Sequence, residues 1–110
     1  MAKSNLDKLI SGFFGKASPS ISEFKKVNNA HAVNSEGFEV KFNRHSVTYN
    51  DSEVTCSFEV EHGTGDLSIY RNEFNIHNNL SGRKLEEIKK LSLMKISDAL
   101  SFLGVNHQID

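Results

Sequence analysis

The sequence predicts a small α+β domain built on an antiparallel sheet. Apolar and polar residues alternate from residue 37 to residue 76, a period of two that indicates strands with one buried face. Over residues 82–103 the apolar period becomes that of an amphipathic helix. The length of 110 residues suits one hydrophobic core, so residues 1–110 are interpreted as a single domain.

The first third of the chain is predicted to supply helical cover for this sheet. Residues 4–15 place their apolar side chains on one helical face and begin with the spacing of a capping box. Residues 20–27 repeat that pattern over a shorter length. Residues 28–36 are rich in turn-forming types and are interpreted as a loop, with an edge strand at 30–33 as the alternative.

Four strands of a β-meander are expected to follow in order. They cover residues 38–42, 47–49, 53–62 and 67–76. Asn, Asp and Gly fill the connections between them, and these residue types close tight turns. In the last strand the inward positions change from odd to even numbers, which predicts a β-bulge near Arg71 and Asn72.

A long C-terminal helix over residues 82–103 completes the predicted fold. Ser81 is expected to cap its start, and Gly104 follows its last apolar residue as a C-terminal glycine does. The expectation is therefore a four-stranded antiparallel meander, or a five-stranded one with the additional edge strand. One face is covered by the N-terminal helical segment and the long C-terminal helix, and the other face meets water.

The charges are unevenly distributed, although the net charge is only −1. Residues 1–35 carry five lysines against two acids, a net charge of +3. Residues 36–75 carry eight acids against three bases, a net charge of −5, and residues 76–110 come to +1. An acidic sheet argues against nucleic acid as a partner, because phosphate contacts need Lys and Arg on the binding surface.

The strand at 53–62 concentrates this acidity on one side. Its alternation places Glu59 and Glu61 opposite Cys56, which is interpreted as a small buried side chain. Tyr70 is expected on the same outer face and could anchor a partner. The candidate partner-binding residues lie on this face or in the turns beside it: Asp51, Glu53, Thr55, Glu59, Glu61, Asp66, Tyr70 and Glu73.

No motif predicts a catalytic residue, a metal site or a cofactor. The five histidines lack zinc-ligand spacing, and the glycines at 63 and 65 lack the rest of a phosphate loop. No apolar run reaches the ~20 residues that cross a bilayer, and the first residues lack a signal-peptide pattern. The predictions are thus a protein that is not an enzyme, a cytoplasmic location and no membrane partner.

Two alternatives to a binding module stay open. His45 and His62 lie in predicted turns that the meander can bring to one end of the sheet, where they could serve a small nuclease-like or hydrolytic enzyme. The outer face or an edge strand could instead make the chain a self-associating domain. Repulsion between acidic surfaces weighs against self-association through the outer face.

The overall build resembles the small immunity proteins that bacteria encode beside contact-dependent growth-inhibition toxins. The resemblance covers the whole chain and rests on its length, its α+β pattern, its scarcity of Cys, Trp and Pro, and its local acidity. It implies an inhibitor that binds a basic, nuclease-like toxin domain one-to-one. These proteins share no diagnostic motif, so no residue is carried over, and the net charge of −1 departs from the strong acidity of many nuclease inhibitors.

Overall fold

The computed structural model describes residues 23–110 and the backbone of two short strands near the start of the chain. These strands, β1 (Ala2–Ser4) and β2 (Asp7–Leu9), pair antiparallel with each other. The helix predicted over residues 4–15 is therefore wrong at the positions that the structure describes, and its other residues lie outside them. A short apolar spacing fits a helical face and a strand pair almost equally well.

A seven-stranded mixed sheet, curled into a half-barrel, forms most of the described protein. Its strands lie side by side in chain order: β3 (Phe24–Asn28), β4 (His31–Asn34), β5 (Glu39–Phe42), β6 (Ser46–Asn50), β7 (Val54–His62), β8 (Leu67–Asn79) and β9 (His107–Ile109). Neighbours from β3 to β8 pair antiparallel, and β9 pairs parallel to β8. Helix α1 (Leu85–Phe102) connects β8 to β9.

The predicted four- or five-stranded meander is thus wrong in its number of strands and in the helices expected to pack on it. Strands β5 to β8 are the predicted meander, but β3 and β4 extend it on one side and β9 extends it on the other. Residues 24–27, predicted to be helical, belong to β3, and residues 20–22 lie outside the described part. The strand suggested at 30–33 exists as β4, but it lies inside the sheet rather than at its edge.

The core lies between one face of the sheet and α1. The predicted inward residues of β5 to β7 are buried, apart from the half-buried Phe42, and Val40, Val47, Cys56 and Phe58 have no exposed surface. Burial raises the pKa of the Cys56 thiol, as the prediction of a buried side chain implies. From the helix, these side chains complete the core: Ile88, Ser92, Ile96, Ala99 and Leu100.

Helix α1 is shorter than predicted, and its start differs. It begins at Leu85 with Lys84 as the N-cap residue, which makes no side-chain capping hydrogen bond. Ser81 does not cap the helix, because its hydroxyl accepts the N–H of Arg83 within the preceding turn (3.1 Å). The C-terminal prediction is confirmed, since Gly104 follows the helix with φ +78°.

Strand β8 contains the predicted bulge. Tyr70 pairs with Glu59 and Phe74 pairs with Phe58, so three residues of β8 at 71–73 have no opposite neighbour on β7. The bulge restores the inward phase, which places Phe74 over the core beside Phe58. A second register shift near His77 separates the pairs made by Thr55 and Cys56.

Candidate functional site

The alternation of β7 presents Glu59 and Glu61 on the outer face of the sheet. Both side chains are exposed, while Phe58 and Val60 between and beside them are buried. Two residues along a strand separate their Cα atoms by about 6.5–7 Å. The two carboxylates therefore stand side by side on a rigid strand, as the sequence predicts.

Strand β8 adds Tyr70 next to these carboxylates. Tyr70 pairs with Glu59 across the sheet, and its hydroxyl donates a hydrogen bond to Glu61 Oε1 (2.5 Å). That hydrogen bond raises the pKa of the Tyr70 phenol, because the carboxylate favours the protonated form. Tyr70 is half-buried and lies on the outer face beside the two carboxylates, where the phase before the bulge predicts it.

The turn between β5 and β6 closes one side of this group. Asn43 Oδ1 accepts the N–H groups of His45 (2.8 Å) and Ser46 (3.0 Å), which shapes the turn and presents Arg44 and His45 outward. Together these elements form the outer-face depression, an open concavity of about 570 Å³. Its lining residues are Arg44, His45, Glu59, Val60, Glu61, His62 and Tyr70.

The outer-face depression holds charges of both signs. Within residues 23–110, neither Glu59 nor Glu61 forms an ion pair with a Lys, Arg or His side chain. Arg44 lines the same concavity and forms no ion pair within residues 23–110, so the lining side chains carry a net charge of −1 when the histidines are neutral. Among the described residues, both exposed carboxylates lack a cation partner, although Glu61 accepts the Tyr70 hydroxyl.

The structure brings His45 and His62 to the same depression, as the enzymatic alternative requires. His62 Nε2 donates to the carbonyl oxygen of Asn43 (3.1 Å), which fixes the orientation of the ring at this turn. His45 is exposed at the turn. Use of these two side chains as acid and base stays a prediction.

Asp51 lies at the opposite end of the sheet and serves the turn between β6 and β7. Its carboxylate accepts the Tyr49 hydroxyl (2.6 Å) and the N–H groups of Glu53 (2.8 Å) and Val54 (2.7 Å). Burial raises the pKa of Asp51, but these hydrogen bonds outweigh it, and the pKa is lowered overall. Asp51 therefore closes this turn with its side chain, as the sequence predicts for Asn and Asp at 50–52, and its carboxylate is already engaged within the fold.

The other candidate residues are dispersed. Glu53 is exposed in the same turn as Asp51, eight residues along β7 from Glu61, which corresponds to about 26 Å of strand. Asp66 lies in the turn that joins β7 to β8, and Glu73 lies in the bulge of β8. The eight candidates therefore do not form one surface, and only Glu59, Glu61 and Tyr70 share the outer-face depression.

Thr55 belongs to a hydrogen-bonded network across four strands. Its hydroxyl donates to Asn50 Oδ1 (2.6 Å), and Asn50 Nδ2 donates to Glu39 Oε2 (2.9 Å). On the far side, His31 Nε2 donates to Glu39 Oε1 (2.6 Å). The hydrogen bonds from Asn50 and His31 lower the pKa of Glu39, so this carboxylate is already engaged within the sheet.

Sequence reasoning missed Arg44 as a member of the site. The signal lies in the turn sequence Asn43–Ser46, where a side chain next to an Asn-closed turn projects away from the sheet. Its proximity to Glu59 depends on the register of β6 against β7, where Ser46 pairs with Glu59. That register is a property of the folded sheet.

Within the described residues, no three His, Cys, Asp or Glu side chains converge to hold a metal ion. In the same part of the chain, no helix combines the length and apolarity that crossing a membrane requires. The chain matches no protein-family model, no curated protein and no solved structure. The geometry of the outer-face depression is therefore the main indication of a function.

Proposed function

We propose that this protein is a non-enzymatic binding module that neutralises a basic, nuclease-like toxin domain in a one-to-one complex. It would act as an immunity or inhibitor protein in the cytoplasm. The observation that supports this proposal is the pair Glu59 and Glu61, exposed on a rigid strand and without a cation partner in residues 23–110. The resemblance in overall build to bacterial immunity proteins supports the same class of function.

The two carboxylates and Tyr70 would contribute to recognition in different ways. Exposed acids attract a basic surface and accelerate encounter, whereas buried aromatic contacts contribute most of the affinity. Tyr70 offers a ring that its hydrogen bond to Glu61 already orders, so little side-chain entropy is lost on binding. Arg44 would favour a partner whose basic groups are flanked by an acid.

Identification of the partner is the first experiment. The purified protein, immobilised through a tag, is exposed to a lysate of its native cell, and captured proteins are identified by mass spectrometry. The gene immediately upstream is the natural candidate for the toxin, and its product should inhibit growth unless this protein is co-expressed.

The binding surface is then tested by reversing two charges. We expect Glu59→Lys with Glu61→Lys to leave the fold intact, because both side chains are exposed. The association rate with the captured partner should fall about 10- to 100-fold, since electrostatic steering is lost, with a smaller change in dissociation rate. Stopped-flow or surface-plasmon-resonance kinetics measure both rates, and circular dichroism checks the fold.

The matched control is Glu87→Lys with Asp98→Lys. Both acids are exposed on α1, away from the outer-face depression, and the double change alters the net charge by the same amount. The control should bind at nearly the wild-type rate. Equal losses in both double variants would indicate a net-charge effect only, and an unchanged rate for the Glu59 and Glu61 variant would refute the proposed surface.

The histidines of the depression allow a test of whether the protein is instead a hydrolytic enzyme. Purified protein is assayed for cleavage of RNA and of simple esters, beside the His45→Ala and His62→Ala variants. Activity that disappears with either histidine would replace the binding proposal with a hydrolytic one. Activity that persists in both variants would indicate a contaminating enzyme.

A further inference from the structure

The outer edge of β8 is only partly paired. Strand β9 pairs with Leu67–Ile69, and the backbone carbonyl of Asp110 accepts the N–H of Arg71 (3.1 Å). From Phe74 to Asn79, β8 pairs with β7 on one side, and no described strand pairs with the other side. Six residues correspond to about 20 Å of strand edge with backbone groups available to a further strand.

This edge lacks the features that commonly prevent strands from pairing between molecules. The segment 74–79 reads FNIHNN, without Lys, Arg, Asp, Glu or Pro. It exposes 36% of Ile76, and Leu80 directly after it is 72% exposed. The opposite edge of the sheet differs, because β3 carries exposed Lys25 and Lys26, which would face their own copies in an antiparallel self-pairing.

The charges at the two ends of this segment are complementary. Glu73 precedes it, and Arg83 follows it in the turn after β8. The turn folds back, because Asn79 Nδ2 donates to the carbonyl oxygen of Arg83 (3.2 Å), so Arg83 stays close to residue 79. Both Glu73 and Arg83 are exposed, and neither forms an ion pair within the described residues.

We infer that a second copy of this chain occupies this edge, with the two β8 strands antiparallel about a two-fold axis at Ile76. In that register residue 73 of one copy lies opposite residue 79 of the other. Glu73 of each copy therefore lies beside Arg83 of its partner, and the two Ile76 side chains meet at the centre. Isologous pairing of this kind is the common way in which identical chains form dimers.

This edge is separate from the outer-face depression. Glu59, Glu61 and Tyr70 lie outside the paired segment, so the dimer and the proposed toxin binding can each fail without the other. The dimer would join the two half-barrels into one sheet across the β8 edges.

The first test measures the mass of the intact protein across a wide concentration range by sedimentation velocity. The wild-type protein should shift from monomer to dimer as its concentration rises. Ile76→Lys should weaken dimerisation at least tenfold, because it places a lysine from each copy at the two-fold axis. Met94→Lys is the matched control, since Met94 is 57% exposed on α1, and it should dimerise as the wild type does.

The second test exchanges the charges at the ends of the segment. Glu73→Arg and Arg83→Glu should each weaken dimerisation about tenfold, because two symmetry-related ion pairs become like-charged pairs. The double variant restores opposite charges and should recover most of the loss. Such recovery is specific to the pair, and a general defect in folding would not show it.

Each of the following results would contradict the proposed dimer. Protein that stays monomeric at every concentration overturns the inference, as does a dimer that Ile76→Lys leaves unchanged. Hydrogen exchange supplies the remaining check, since amides of residues 74–79 should become slower to exchange as the protein concentration rises. Protection of these amides only on addition of the captured toxin would show a foreign strand at this edge and would also overturn the dimer.

Discussion

Asp51 illustrates how one carboxylate can stabilise a turn while other acids on the adjoining strand stay exposed. It accepts three hydrogen bonds, one from the Tyr49 hydroxyl and two from backbone N–H groups, and its pKa is lowered as a result. Glu59 and Glu61 have no such donors from the backbone or from cations among the described residues. An acid in a turn sequence such as Asn-Asp-Ser therefore deserves a structural interpretation before a binding one.

We expect Asp51→Ala to lower the free energy of unfolding by about 1–3 kcal/mol, because the hydroxyl of the buried Tyr49 and two N–H groups lose their acceptor. Because the folded pKa is lower than the ordinary 3.8, this contribution is complete above that value. It is lost as the pH falls through the folded pKa, so the difference between wild type and variant should shrink in acid.

Urea unfolding at several pH values measures this difference. Glu53→Ala is the control, since Glu53 is the exposed neighbour in the same turn, and it should change the stability little. A pH-independent difference between wild type and Asp51→Ala would show that ionisation of Asp51 does not contribute.

The elements that the sequence could predict are those whose pattern is local. Strands β5 to β8 alternate clearly, and the bulge near Arg71 follows from a change of phase along one strand. Strand β3 has an inward Phe24, but Lys25 and Lys26 follow it, so five residues contain no readable alternation. Strand β9 spans only His107–Ile109 and pairs parallel with β8. No short-range sequence pattern predicts a parallel pairing of this kind.

The same reasoning applies to the site. Alternation predicts the outward position of Glu59 and Glu61, and the phase before the bulge predicts that of Tyr70. The position of Arg44 beside Glu59 depends on strand register. The distance of Asp51 and Glu53 from the depression depends on strand length. Those properties follow from the assembled sheet.

The link between α1 and β9 depends on one glycine. Gly104 has φ +78°, its N–H donates to the carbonyl of Ser101 (3.1 Å), and the N–H of Val105 donates to the carbonyl of Leu100 (2.9 Å). These two hydrogen bonds form a Schellman motif that ends the helix and turns the chain towards β9. From β9, His107 Nε2 then accepts the hydroxyl of Ser97 on the helix (2.7 Å).

We expect Gly104→Ala to lower the stability by about 1–2 kcal/mol, because an L-residue is strained at this positive φ. An added Cβ would meet no atom within 4 Å, so backbone strain is the only cost. Thermal and urea unfolding measure the change, and Gly104→Asn should be milder, since Asn tolerates the left-handed conformation better. A stable alanine variant would mean that the helix ends differently in solution.

Across the whole molecule, the acidic middle of the chain separates into two regions. Asp51 and Glu53 lie at one end of the sheet, while Glu59, Glu61 and Asp66 lie towards the other. Glu36 is partly neutralised by Lys95, whose Nζ is 3.9 Å from its carboxylate. The net charge of −5 over residues 36–75 is therefore not the charge of one surface.

We expect the association rate with the captured partner to fall as salt is added, because the exposed carboxylates of the depression act through solvent. Screening reduces such attraction strongly once the Debye length shortens to about 8–10 Å. Rates measured over a series of NaCl concentrations should show a steep slope for the wild type and a shallow one for the Glu59→Lys, Glu61→Lys variant. Parallel slopes would place the steering charges elsewhere.

The parallel pairing of β8 with β9 has a consequence for the order of folding. Each earlier pair of neighbours in the seven-stranded sheet is joined by a short turn, whereas Ser68 and Gln108 meet across 40 residues of chain. Closing so long a loop costs more entropy than closing a hairpin. The hairpins should therefore assemble first, with β9 docking as the final event and detaching before the rest during native-state opening.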